Sequence, residues 1–270
     1  MANIWNLLLY HPLLNSLIYL TKLTGSLGWA VIILTSGLRL IMTPLTTPSL
    51  KASKKMQDLA PELAELKKKF KDDKQGMITA QSELYKKHGL NPAAGCLPQI
   101  VQILVLIALF NAFNTVLRPN GENIITRLNK VLYSSNQLAP DAQINTSFLG
   151  LDLAKPDVIH VNGLPFPLPG LALLLTGLVQ LVSSVMMLPE VKAQEKQAEK
   201  TEEGMDDALA ASQKQMVYMF PIMTIFFGFQ FPAGLVMYWL IFSGISVVQQ
   251  YFAVGWGGLT PWLAKLNLVK

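Results

Sequence analysis

Cysteine is almost missing from this 270-residue chain. Cys96 is the only one, which excludes an internal disulfide and any cysteine-rich metal site. Histidine is nearly as scarce: His11, His88 and His160 all lie outside the strongest apolar segments. An intramembrane serine protease would lack its His at membrane depth, and a metalloprotease would lack the His pair it needs on one helix with a Glu. No glycine-rich phosphate loop is present, so nothing points to ATP use and no cofactor is expected. Charge is low as well, at 14% of residues against roughly 25% in soluble domains. Residues 215–264 form a run of 50 without one Asp, Glu, Lys or Arg. No soluble fold leaves such a run unpunctuated. The chain reads as an integral membrane protein.

What is present in quantity is apolar length. Hydrophobic residues make up 51% of the chain and its mean hydropathy is +0.36. A spanning helix needs roughly 20 apolar residues, because ~1.5 Å of rise each crosses a hydrocarbon core of about 30 Å. The uncharged run is broken at Phe231-Pro232-Ala233-Gly234, giving spans at 215–231 and 234–255. Three more apolar stretches, 27–48, 95–117 and 168–188, bring the expected number to five. Residues 1–26 are apolar too, but His11, Pro12, Asn15 and Ser16 interrupt them. Tyr10, Leu13, Leu14, Leu17, Ile18 and Leu20 fall mostly on one helical face, so this extracytoplasmic segment reads as an amphipathic interfacial helix. The expected fold class is an all-α integral membrane protein: a five-helix transmembrane core, a cytoplasmic helical hairpin and the N-terminal interfacial helix. The start of the chain shows no basic n-region and no small-x-small cleavage site, so no removable signal peptide is expected.

Orientation follows from basic residues, which accumulate in cytoplasmic loops. Segment 49–91 holds ten lysines, from Lys51 to Lys87, and loop 189–214 adds Lys192, Lys196, Lys200 and Lys214. The longer loop 118–167 has only Arg118, Arg127, Lys130 and Lys155. Five spans then place the N-terminus outside, and the tail 256–270 with Lys265 and Lys270 inside. The net charge of +5 is thereby a topology signal, and direct nucleic-acid recognition is not expected.

Within segment 49–91, Met56, Leu59, Leu63, Leu66 and Phe70 recur at helical steps, which predicts an amphipathic helix over 52–70. Lys71-Asp72-Asp73-Lys74-Gln75-Gly76 is a turn, and Met77, Ala80 and Leu84 form a second stripe. Two antiparallel helices pair such stripes as a hairpin. A solvated basic linker has no reason to be periodic on both sides of a turn. Loop 189–214 reads as a frayed helix. The extracytoplasmic loop 118–167, with Pro140, Pro156, Pro165 and Pro167, is expected to have little regular structure. No internal repeat marks the halves of a transporter.

Arg39 is the anomalous residue. It lies about nine residues inside the first span, or roughly 13 Å along the helix, farther than a snorkelling side chain covers. A central Arg costs ~2.5–3.5 kcal/mol on insertion scales and usually faces a water-filled cavity or a partner. No other expected span contains Asp or Glu. These facts predict an aqueous, positively charged groove in the inner half of the bundle, against the alternative of a snorkelling Arg. Thr35, Ser36, Gln99, Gln102, Gln180, Ser243 and Gln249 are candidates to line it with Arg39. Asn111, Asn114, Ser183, Ser184, Ser246 and Gln250 add further polar groups. For any single one, a hydrogen bond between helices is the competing role. Gly228, Gly234 and Gly244 read as close-packing positions.

Several strings coincide in order with one family. They are Ile33-Leu34-Thr35-Ser36-Gly37-Leu38-Arg39-Leu40-Ile41-Met42-Thr43-Pro44-Leu45-Thr46, then Lys55-Met56, Pro61-Glu62 and Asp72-Asp73-Lys74-Gln75. Next come Asn91-Pro92-Ala93-Ala94-Gly95-Cys96-Leu97-Pro98, and Phe148-Leu149-Gly150-Leu151-Asp152-Leu153 with Pro156-Asp157. Phe220-Pro221, Phe231-Pro232-Ala233-Gly234-Leu235-Val236-Met237-Tyr238-Trp239 and Gln249-Gln250 complete the set. In these pieces the chain resembles the YidC/Oxa1/Alb3 membrane protein insertases, specifically the bacterial branch, over about residues 5–255.

The resemblance implies a five-helix core with a groove open to the cytoplasm and to lipid, a groove Arg at Arg39 with Thr35 beside it, and a cytoplasmic hairpin. It implies that Tyr238 and Trp239 lie on the last helix, where a client segment slides past. The expected function is insertion of nascent proteins into the bilayer without nucleotide hydrolysis or covalent chemistry. The expected partners are nascent membrane proteins and lipid, with the ribosome or targeting factors and the Sec translocon. The expected location is the bacterial cytoplasmic membrane. A small-solute channel or transporter using the same polar cavity is the alternative, and a structural scaffold a weaker one. No large extracytoplasmic domain is expected ahead of the core, and a ribosome-binding role is not expected of the short tail after Gly258.

Overall fold

The computed structural model describes residues 2–70, 73–90, 97–117, 123–187 and 205–267. The described chain is mostly helical. Its helices are α1 (Ala2–Trp5), α2 (His11–Thr24), α3 (Leu27–Asp58), α4 (Ala60–Lys69), α5 (Lys74–Lys87), α6 (Leu97–Leu117), α7 (Ile124–Asn129), α8 (Leu171–Met186), α9 (Met205–Gly228), α10 (Ala233–Val254) and α11 (Thr260–Lys265). A π-helical turn, Asn6–Tyr10, joins α1 to α2. Leu27–Met56, Ile100–Leu117 and Ala233–Val254 are long and apolar enough to cross a membrane, while Leu171–Met186 and Val217–Gly228 are shorter apolar helices. The arrangement is that of a multi-span helical protein. The third expected span, 168–188, is helical only over Leu171–Met186, because Leu168 and Pro169 pair as a strand before it. The frayed helix expected in 189–214 lies largely outside the described residues.

The chain divides into two compact units. The first comprises residues 1–41, 101–180 and 221–245. Its core is made by faces at helical spacing: Leu13, Leu14, Leu17 and Ile18 of α2, Ala108, Leu109, Ala112 and Phe113 of α6, and Leu235 and Tyr238 of α10. Leu27, Ala30 and Val31 of α3 join them. The amphipathic face read from α2 is thus buried against protein. Asn15, which interrupts its apolar run, ties α2 to the loop: its side-chain oxygen accepts from the Tyr133 N–H at 2.8 Å, and Asn136 donates to its carbonyl at 2.8 Å. Gly25, at φ +68°, ends α2 in the left-handed conformation that glycine adopts without a Cβ clash.

Within the loop expected over 118–167, the described part, 123–167, is more ordered than its prolines suggest. Beyond α7 it holds β1 (Ser147–Phe148) paired with β2 (Leu151–Asp152), and β3 (Val158–Ile159), which pairs with β4 (Leu168–Pro169) just after it. Leu149 and Gly150, both at positive φ, make the tight turn that the first hairpin's right-handed twist requires. The order has a cause. Helix starts leave N–H groups without intrahelical acceptors, and this loop supplies acceptors. The Ala233 N–H donates to the Lys155 carbonyl at 2.7 Å and the Gly234 N–H to the Leu153 carbonyl at 3.0 Å, at the start of α10. At the start of α8, the Leu173 N–H donates to the Asp157 carboxylate at 2.8 Å. Two of the family-like strings, 148–153 and 231–239, are therefore one docked unit.

The second unit comprises residues 42–100, 181–220 and 246–270. The helix predicted over 52–70 divides at Leu59: α3 runs on to Asp58 and α4 begins at Ala60, with Pro61 in its first turn, where a missing N–H costs nothing. The α4 and α5 helices pack as an antiparallel pair, with Glu62 near the start of one 3.7 Å from His88 just after the end of the other. Asp73 caps α5 by accepting from the Gly76 N–H at 2.8 Å. Leu59 and Met77, one from each predicted stripe, are buried. Lys54 donates to the Val254 carbonyl at 3.2 Å, placing a cation at the negative end of α10.

Candidate functional site

Arg39 lies on α3 one turn beyond Thr35, and the two are 7% and 2% exposed. Its guanidinium carbon sits 4.4 Å from the centroid of the Phe242 ring on α10. A stacked cation of this kind gains about 0.5–2 kcal/mol, more as water is excluded, which offsets much of the cost of a buried Arg. Phe242 is one turn from Tyr238 on the same face, with their rings 5.9 Å apart. Tyr238 is 1% exposed, and its hydroxyl accepts a 2.6 Å hydrogen bond from the Gln102 amide of α6. Gln102, Tyr238, Phe242 and Arg39 thus form a ladder across three helices of the first unit.

Thr35 and Tyr238 also face one small void, closed by Leu17, Val31, Leu34, Leu109 and Phe113, with no room for a water molecule. On the N-terminal side of Arg39 the packing is therefore dry. Beside the ladder, Trp239 is half-buried in an aromatic cluster, its ring 5.6 Å from Phe231, which lies 5.4 Å from Phe110. Ser243 and Gln180 are buried in the same unit and Ser36 is half-buried. The side-chain oxygens of Gln102 and Gln180 have no hydrogen-bond partner among the described residues. Those orphan acceptors mark where a visiting donor would be welcomed.

Other candidates fall elsewhere. Gln249 belongs to the second unit, where it donates to the Thr43 hydroxyl at 2.7 Å. Ser183 and Gln250 bond each other there, at 3.2 and 3.0 Å. These are helix-joining hydrogen bonds, the competing role for polar residues in spans. The Gln99 side chain lies outside the described residues. Asn111 and Asn114, read from sequence as further groove polars, line a different cavity with Arg127. They lie nine and twelve residues beyond Gln102, or roughly 13 and 18 Å along α6. Gly228 packs under Leu173 and Gly234 under Phe113, as close-packing positions do, but Gly244 has nothing within 4 Å of where a Cβ would stand.

Phe242 was missed by sequence reasoning, which singled out polar groups and the family-like pair Tyr238-Trp239. The signal was available, since Phe242 follows Tyr238 by four residues and shares its helical face.

Comparison with known proteins identifies a family. The family model described as "60Kd inner membrane protein" matches residues 19–255. The membrane protein insertase YidC of Fusobacterium nucleatum is 33% identical over 231 residues, covering 86% of this chain and 87% of that protein. Those of Geobacter sulfurreducens and Pelobacter propionicus are 32% and 34% identical, covering 92% of this chain in each case. The chain spans only 37% and 39% of the length of these two longer relatives. The matched span contains the whole ladder from Arg39 to Phe242. The chain belongs to the 60Kd inner membrane protein family, the YidC/Oxa1/Alb3 family that its motif strings resemble.

Proposed function

We propose that this multi-pass inner-membrane protein is a membrane protein insertase that works without nucleotide hydrolysis. The observation that carries the reading is the guanidinium of Arg39 held over Phe242 inside a helical unit. A fixed cation in low dielectric acts on a passing carboxylate far more strongly than one in water. The hydrophilic outer segment of a nascent protein enters from the cytoplasmic side and is drawn to Arg39. Its apolar helix then partitions sideways into lipid, where burial at ~25 cal/mol per Å² supplies the drive. No covalent step is needed.

The dry void around Thr35 and Tyr238 supports a groove closed on the outer side. A small-solute channel needs a continuous polar path, which that void would interrupt. Trp239 and Ser243 follow Tyr238 on α10 and belong to the surface that the client meets, with Ser36, Gln102 and Gln180 as polar neighbours. The finer architecture is five spans with the N-terminus outside and the C-terminus inside. Single cysteines at Ser134 and Asp73, in a Cys96→Ser background, then label from outside and inside respectively. Labelling of both from one side would contradict that topology. The lysine-bearing α4–α5 hairpin is the docking element for the ribosome or a targeting factor, and the Sec translocon is a further partner.

The test is reconstitution. Vesicles containing the purified chain should insert an in vitro translated single-span protein and should not release a trapped small solute. Solute release without insertion would replace this reading with the channel.

A further inference from the structure

The exposed apolar surface of α8 does not stop where the helix starts. Leu171, Leu174, Leu175 and Leu178 are exposed at three- and four-residue steps along one side of α8. Ahead of them in the chain, Ile159, Leu164, Phe166 and Leu168 of the β3–β4 hairpin are exposed as well, Phe166 at 61%. Residues 158–189 contain no Asp, Glu, Lys or Arg, so the uncharged run includes the whole hairpin, with His160 as its one titratable side chain. The pairing gives the hairpin an apolar face. Ile159 stands directly opposite Leu168, and opposed residues of an antiparallel pair project to the same side. The adjoining pair, Val158 and Pro169, projects to the other side and is half-buried. Gly163, at φ +96°, turns the tip, where the Leu164 N–H donates to the Val161 carbonyl at 3.2 Å. Asp157 fixes the base to the helix start: its carbonyl accepts from the Gly170 N–H at 2.9 Å, and its carboxylate from the Leu173 N–H at 2.8 Å.

What covers this face follows from its continuity with α8. The helix has 16 residues, which at ~1.5 Å each cover only about 24 Å of a hydrocarbon core about 30 Å thick. Apolar surface beyond the helix then offsets the mismatch, and the hairpin supplies it at the helix start. Its backbone suits the place. In Leu164-Pro165-Phe166-Pro167-Leu168-Pro169 every second residue lacks an N–H, which removes three donors that would otherwise need partners where water is scarce. An open hairpin does not enter the hydrocarbon itself, because its remaining unpaired backbone groups need water or headgroups. Its depth is that of an interfacial element, about 5–10 Å into the boundary between headgroups and chains.

We propose that the β3–β4 hairpin is a membrane-seated element, whose face bearing Ile159, Phe166 and Leu168 rests in the lipid leaflet where α8 starts. Its partner is a lipid surface, engaged by apolar contact and not by headgroup charge. Seated there, it fixes the depth at which α8 enters the bilayer. The proposal rests on α8 being a span, as the five-span architecture has it, and is independent of the insertase reading.

The test is depth-dependent quenching of the full chain in phosphatidylcholine vesicles. A polarity-sensitive fluorophore is attached to a single cysteine, Phe166→Cys, Ile159→Cys, Leu178→Cys or Lys155→Cys, each in a Cys96→Ser background. Ile159→Cys keeps Phe166 in place and so guards against loss of the face in Phe166→Cys. Lipids carry a spin label near the headgroup or at the end of an acyl chain, and iodide quenches from the water. The probes at 166 and 159 should shift to the blue, lose more emission to the headgroup-proximal label than to the chain-end label, and resist iodide. The probe at 178 should be quenched more by the chain-end label, and that at 155, on an exposed side chain, should be open to iodide. Added phosphatidylglycerol or salt should change none of this. Probes at 166 and 159 that iodide quenches, with 178 in lipid, would overturn the seated hairpin and leave α8 a span. A probe at 178 that neither lipid label reaches would overturn α8 as a span, and the proposal with it. Blue-shifted probes at 166 and 159 that no lipid label quenches would assign the face to protein. If that shift then faded as vesicles were diluted with lipid, the protein would be a second copy, and either outcome overturns the lipid.

Discussion

The guanidinium of Arg39 lies 4.4 Å from the centre of the Phe242 ring, so the charge that makes the first long helix anomalous is stacked on an aromatic face of the last. This contact alters what the Arg is for. A snorkelling Arg would carry its charge to the membrane surface, whereas this one is 7% exposed and held over a ring inside the unit. The ring beneath it is one turn from Tyr238, and Tyr238 is bonded to Gln102, so the position of the charge is coupled to three helices at once.

That coupling is measurable. Tyr238→Phe removes the hydroxyl acceptor from Gln102, and Gln102→Leu leaves the hydroxyl without its donor. Each single change should lower stability in detergent by about 1–3 kcal/mol, because a buried polar group is left unmet. Tyr238→Phe with Gln102→Leu removes both partners and should cost less than the sum of the two. Strict additivity, read from unfolding midpoints, would show that the 2.6 Å contact is not energetically coupled.

Two glycines on α10 should behave oppositely. A Cβ at Gly234 would stand 2.9 Å from the Phe113 ring and 3.3 Å from the Leu153 carbonyl, at the point where the 148–153 string docks. Gly234→Ala should therefore destabilise by about 1–3 kcal/mol, the usual cost of overpacking. At Gly244 nothing lies within 4 Å, so Gly244→Ala should stabilise by roughly 0.5–1 kcal/mol through helix entropy. Thermal unfolding of the two variants in one detergent decides the signs.

The loop that caps α10 should respond to acid. The Asp152 carboxyl is held below the usual carboxylate range, first by the Ala154 N–H and then by Lys155 and Thr146. Its contribution to stability is complete above the ordinary value of 3.8 and is lost as pH falls through the lowered folded value. Amide exchange at Ala233 and Gly234, whose N–H groups the loop accepts, should accelerate in that window, after correction for intrinsic rates. Asp152→Asn should flatten the response. An unchanged acid response in Asp152→Asn would remove the carboxylate from the account.

The fold was legible in the sequence wherever a single chain segment carried its own signal. Arg39 stood out because one charge interrupts an apolar run, and the stripes ending at Phe70 and Leu84 were periodic enough to show two helices. The break at Leu59 was harder to read, since Pro61 is tolerated in a helix's first turn and gives no clear stop. The order in 123–167 was missed because it comes from backbone carbonyls bonding helix starts far along the chain, as Lys155 does with Ala233, and carbonyls carry no residue signature. The ladder was half legible. Gln102, Tyr238 and Arg39 were marked individually, but their joining through Phe242 depends on which helix faces turn together. Asn111 and Asn114 show the converse: shared polarity with Gln102 did not mean a shared site.

The claim at the centre is that Arg39 attracts acidic client segments, and one measurement reaches it most directly. Two single-span clients, identical except that the translocated segment of one is acidic and that of the other neutral, are inserted into vesicles containing wild type, Arg39→Lys or Arg39→Ala. Protease-protected fragment is the readout. For the acidic client, Arg39→Ala should slow insertion about tenfold, the effect of ~1.4 kcal/mol on a rate. Arg39→Lys should fall between, because it keeps the charge but loses the flat face that stacks on Phe242. The neutral client should be nearly indifferent to both. Equal slowing of the two clients by Arg39→Ala would contradict the account and leave Arg39 as a structural residue stacked on Phe242.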